Sequence, residues 1–170
     1  MTTSRAFVLV SLLAAVTAAT GAACSTPDPN ERVDAVGPGR DTFVDVSRAL
    51  EHRCGSLDCH GTPYRNLRIY GYGGLRIDPA QSPEAPRAAT VEEIDRNYES
   101  FIGLEPALMR EVTQGKRDPQ TLIVVRKARG EESHKGGARV TKGDDADVCL
   151  LTWLRGNVDA AACKRVPEQP

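Results

Sequence analysis

Large aromatic side chains and methionine are scarce in this chain. Its 170 residues include three Phe, one Trp, four Tyr and two Met. After residue 23 only Phe43, Phe101 and Trp153 are Phe or Trp. A core built there lacks the side chains that bury most area, so a disulfide or a bound group would help so small a body. An excess of either charge is missing too: 22 basic side chains face 23 acidic ones. That balance gives no general pull toward nucleic acid or an anionic surface. No long apolar run recurs after residue 23 and no segment repeats, which excludes a multi-span membrane protein and a solenoid. There is no glycine-rich phosphate loop, no Ser/His/Asp arrangement and no helical His-x-x-x-His pair. The sequence therefore does not point to an enzyme.

The first 23 residues are laid out as an export signal. Arg5 precedes an apolar stretch, Ala6 to Ala19, which is too short for a comfortable membrane span of about 20 residues. Small residues Gly21-Ala22-Ala23 then lead to Cys24. This ending resembles the lipobox of bacterial lipoproteins, although Gly21 stands where such sequences usually have Leu. The resemblance implies cleavage, lipidation of Cys24 and a membrane anchor. Ser25 beside the anchor implies the outer membrane. An ordinary cleavable signal with an incidental Cys24 is the other reading. Residues 24–40 carry Pro27, Pro29, Gly37, Pro38 and Gly39 among charged residues, the composition of a flexible spacer. Residues 167–170 read as a tail.

Between them, residues 41–166 are expected to form one mainly α domain with long loops. Asp41 or Thr42 opens a first helix with an apolar face of Phe43, Val46, Ala49 and Leu50. Asn66 to Tyr70 alternates like a short extended segment. Thr90-Val91-Glu92-Glu93 matches a capping box, with Val91, Ile94, Tyr98, Phe101 and Ile102 as the inner face of its helix. Pro106 suits a helix start. The run Leu122-Ile123-Val124-Val125 fits a helix or a buried strand equally well. A last helix, Ala146 to Arg155, stops at Gly156 and carries Cys149, Leu150, Trp153 and Leu154 inside.

Export places the cysteines in an oxidising compartment. With Cys24 assigned to lipid, four remain, in two local pairs. Cys149 and Cys163 bracket a helix and a Gly156-Asn157 turn, and a disulfide between them is expected. Cys54 and Cys59 lie in Arg53-Cys54-Gly55-Ser56-Leu57-Asp58-Cys59-His60-Gly61. Two thiols and an imidazole this close suit covalent haem attachment. The usual spacing is C-x-x-C-H, and here four residues separate the cysteines. A local Cys54–Cys59 disulfide with a solvated His60 is the competing reading. A structural zinc would need four ligands, and no second Cys-x-x-Cys or His pair is present.

A helix, this cysteine loop, intervening helices and loops, and a final Trp-bearing helix resemble the c-type cytochrome family over residues 41–156. The resemblance implies a haem c held by Cys54 and Cys59, with His60 as proximal iron ligand. It also implies a distal ligand before the last helix. His134, between Ser133 and Lys135-Gly136-Gly137, is the first choice and Met109 the second; His52 is expected to face away. Filled axial positions imply electron transfer with a redox partner at the cell envelope rather than catalysis. The basic residues Arg126, Lys127, Arg129, Lys135 and Arg139 either steer an acidic partner, pair with haem carboxylates, or solvate the loop. The alternative function is a haem-free, disulfide-stapled envelope lipoprotein serving as a structural or interaction module.

Overall fold

The structure, a computed structural model, describes residues 34–80 and 87–168. The signal-like segment, Cys24 and most of the expected spacer lie outside the described residues. The body begins at Asp34 and is mainly α. Among the described residues the six α-helices are α1 (Phe43–Cys54), α2 (Val91–Ile102), α3 (Pro106–Thr113), α4 (Ile123–Ala128), α5 (Asp145–Leu154) and α6 (Ala160–Arg165). Single 3-10 turns cover Pro119–Thr121 and Val166–Glu168. Among the described residues no helix is long and apolar enough to cross a membrane.

The amphipathic patterns explain the packing. On α1, Phe43, Val46, Ala49 and Leu50 are all buried, and on α5 so are Cys149, Leu150, Trp153 and Leu154. Trp153 is fully buried, with its ring centre 4.9 Å from that of Phe43 and 5.6 Å from that of Phe101. One small aromatic knot thus joins α1, α2 and α5 and offsets the shortage of large side chains. The capping box of α2 is complete: Thr90 Oγ1 accepts from the Glu93 amide, and Glu93 accepts from the Thr90 amide at 2.8 Å. Cys149 and Cys163 form a disulfide across a Cα–Cα distance of 4.7 Å, joining α5 to α6.

Three expectations need correction and one open choice is decided. Residues 34–40, assigned to the spacer, pack on the body. Trp153 Nε1 donates to the Gly39 carbonyl, Tyr98 Oη to Pro38 and Arg110 to Asp34. A buried indole N–H needs an acceptor, and this segment supplies it. Val91 leaves the inner face of α2, being 81% exposed at the first helical position, while Glu93 and Asn97 are buried instead. The ambiguous run at Leu122 becomes helix α4. Among the described residues it has no partner strand, and the Glu105 carboxylate accepts its first amide, Ile123 N–H, at 2.5 Å. Asn66–Tyr70 contributes only an isolated bridge, Tyr70 to Leu75. Asn97 of α2 takes the place of a neighbouring strand: its Oδ1 accepts from Tyr70 N–H at 2.7 Å and its Nδ2 donates to Tyr70 C=O at 3.0 Å.

Candidate cofactor-binding site

Helix α1 delivers Cys54 as its last residue, and the chain then doubles back. Gly55 N–H donates to Glu51 C=O, and His60 N–H returns to the Cys54 carbonyl at 2.9 Å. The loop is held by three glycines in backbone contact. A Cβ on Gly61 or on Gly74 would collide with the Gly55 carbonyl oxygen, and one on Gly61 would stand 2.7 Å from Gly74 Cα. Only hydrogen fits at these positions. Gly74 in turn belongs to a segment fixed from behind. Ala89 N–H donates to the buried Glu51 carboxylate, and Glu93 accepts from Ile77 N–H and pairs with Arg76 at 2.9 Å. Ser47, Glu51, Glu93 and Asn97 form this buried polar backing, and sequence reasoning missed all of it. Polar residues inside helix patterns read as surface; the one clue was Glu93, through its place in the capping box.

Cys54, Cys59, His60 and His134 all line one cavity of about 730 Å³. That is within the usual 300–1,000 Å³ for a site that takes a small molecule or cofactor. Its floor is apolar, formed by Val46, Ala49 and Leu50 of α1 and Ala146 and Leu150 of α5; its border includes Arg53, Arg65, Lys127, Lys135 and Arg139 against Asp58 and Glu105. Such a site suits a ligand with an apolar body and carboxylates. Met109 does not line it: 1% exposed, it packs in the core. His52 packs against Tyr72, with ring centres 3.7 Å apart and planes tilted by 41°, and is also absent from the cavity wall. Of the basic cluster, Arg129 is buried in a two-pronged bond to Asp147 at 2.7 and 2.9 Å, and Arg126 pairs with Glu132 at 2.6 Å. Lys127, Lys135 and Arg139 remain on the cavity.

The two cavity histidines share one hydrogen-bond logic. His60 Nδ1 lies 3.0 Å from the Leu67 carbonyl, and His134 Nδ1 lies 3.0 Å from the Gly137 carbonyl. A carbonyl only accepts, so each Nδ1 carries a proton, and in the neutral ring that leaves the Nε2 lone pair for another partner. This is the arrangement expected of metal-ligating histidines. Burial lowers the His60 pKa, the Leu67 carbonyl opposes that, and nearby His134, Arg65 and Lys127 add to the lowering. The net shift favours the neutral ring. The two ring centres are 5.9 Å apart and the planes within 20° of parallel.

Cys54 and Cys59 are free thiols, each half-buried; the local disulfide of the competing reading is not formed. Burial pushes the Cys54 thiol up to about 11, the neighbouring Cys59 adds to the rise, and Arg139 and Arg53 oppose it. Among the described residues no three His, Cys, Asp or Glu side chains come together to hold a bare metal ion. Haem is less demanding, because the macrocycle supplies the equatorial nitrogens and the protein only the axial ones. The donor set, the amphipathic cavity and its size thus fit a haem better than a bare ion.

The chain matches no protein-family model, no curated protein and no solved structure. The resemblance to c-type cytochromes accordingly rests on the sequence alone, with the cysteine loop as its one specific motif.

Proposed function

We propose that this body is a single-haem, c-type electron-transfer domain of an exported lipoprotein. The observation that carries the reading is the convergence of Cys54, Cys59, His60 and His134 on one cavity, with both imidazoles turned to leave Nε2 available. Cys54 and Cys59 would hold the group through their sulfurs. His60, on the framework, and His134, on its loop, would supply the iron ligands. Lys127, Lys135 and Arg139 are placed to meet the carboxylates. When bound, haem supplies reversible one-electron iron chemistry, and two histidine ligands favour a lower potential than His/Met. With both histidines committed to the iron, the domain would pass electrons to an envelope redox partner rather than turn over a substrate.

Export and anchoring through a lipidated Cys24, with the outer membrane as the favoured site, belong to the same proposal. The Cys149–Cys163 disulfide supports an oxidising compartment. That bond also favours the haem-free, disulfide-stapled module, since it closes the last helices without a cofactor. Such a module gives no role to two free thiols and two poised imidazoles on one cavity. Expression of the full chain in an exporting host with haem-attachment machinery separates the readings. A Soret band, with an α band on reduction, is expected; colourless protein from a host that matures a control cytochrome rejects the haem.

A further inference from the structure

The two imidazoles on the cavity are mounted very differently. His60 is built into the framework: its N–H bonds Cys54 C=O, its C=O accepts from Ile69 N–H at 2.8 Å, and its ring bonds Leu67. The Leu67–Tyr70 segment is clamped in turn to α2, through Ser100 to Arg68 N–H and through Asn97 to both backbone groups of Tyr70. His134 has no such support. The stem of its loop is pinned where Arg129 grips Asp147 and where the Arg139 and Val140 amides reach Ala128 C=O. Among the described residues, however, 133–138 hydrogen-bond only to one another, through Gly137 N–H to His134 C=O and His134 Nδ1 to Gly137 C=O. His134 thus rides on a self-contained turn, which can open and withdraw the ring without breaking a hydrogen bond to the rest of the described residues.

Resting on the haem reading above, we infer that His134 is a releasable ligand, and that its departure opens a binding site for a small neutral π-acceptor molecule of the carbon monoxide class. The cavity that His134 would leave also presents Ile123, Val124 and Val140, apolar residues that suit an uncharged diatomic. Opening confined to one turn costs far less than unfolding, and apparent affinity falls only by the fraction of time the turn is closed.

The test is rapid mixing of the full-length, reduced holoprotein with carbon monoxide, read by the Soret shift. Binding is expected, with a rate that levels off at high gas concentration because His134 must leave first. His134→Ala should remove that ceiling. Gly137 has φ +68° and a Cβ there would meet nothing within 4 Å, so Gly137→Ala strains only the turn and should raise the ceiling roughly fivefold. If His134→Ala loses its haem, the Gly137→Ala result decides. Wild-type protein that takes no carbon monoxide overturns the inference, as does a rate rising linearly without a ceiling. A chain without any Soret band defeats the haem reading itself, an outcome distinct from both.

Discussion

Substituting Gly74 by Ala probes the device that shapes the cysteine loop. The added methyl would overlap the Gly55 carbonyl oxygen and stand 2.9 Å from Gly61 Cα and 3.1 Å from the Gly55 carbonyl carbon. Every one of those atoms is backbone, so no rotamer change relieves the clash. Overpacking costs about 1–3 kcal/mol, and contacts this close to main chain place the cost near about 3 kcal/mol. At roughly 3–4 °C per kcal/mol for a body of this size, Tm should fall by roughly 10 °C. Gly115→Ala is the control: it has φ +68° and open space around its Cβ, so only conformational strain of about 1 kcal/mol is expected. Urea unfolding followed by circular dichroism measures both, with an unchanged m-value marking a pure stability effect. Displacement of the Gly55–Gly61 contact should also reduce haem content in Gly74→Ala but not in Gly115→Ala. Equal stability of the two variants would refute the proposed packing of the loop.

Exchanging both Cys149 and Cys163 for Ser removes a cross-link over a sequence separation of 14, so calorimetry should show a loss of about 3 kcal/mol. Arg129→Ala leaves Asp147 buried without its partner; both side chains are 4% exposed, and a cost of about 3–5 kcal/mol is expected in urea titration. Glu51 is held above the ordinary glutamate range by burial, against the opposing Ala89 amide, Arg48 and Ser47. An acid whose folded pKa is raised binds more protons folded than unfolded, so its contribution declines as pH rises from the ordinary glutamate pKa through the folded value. Measured against Glu51→Gln, wild-type stability should therefore gain as pH is lowered through that window; a flat difference would remove the assigned role.

Much of the helical frame was legible because its signals are local. The Phe43–Leu50 face, the Thr90–Glu93 box and the Cys149–Cys163 pair each lie within about fifteen residues, where spacing alone specifies geometry. The candidate site was legible only in part. His60 and His134 were chosen from their neighbours in sequence, and the fold places both on one cavity. What positions them was hidden, because it is made by contacts distant in sequence. Gly55, Gly61 and Gly74 meet through a turn that no periodicity reveals, and Asn97 reaches Tyr70 across 27 residues. The Leu122–Val125 run carries helical and extended patterns at once, and Glu105 capping Ile123 decides the outcome. Tertiary hydrogen bonds of this kind override local preference.

The account turns on covalent haem at Cys54 and Cys59, and intact mass after denaturation tests this most directly. Chain from a haem-attaching host should carry the mass of one haem through boiling and reductant, leaving no reactive thiol at either cysteine. Single replacement of Cys54 or Cys59 by Ser should weaken that retention and the double replacement abolish it. An unmodified mass with two titratable thiols at those positions, or with those two sulfurs joined to each other, would contradict the account.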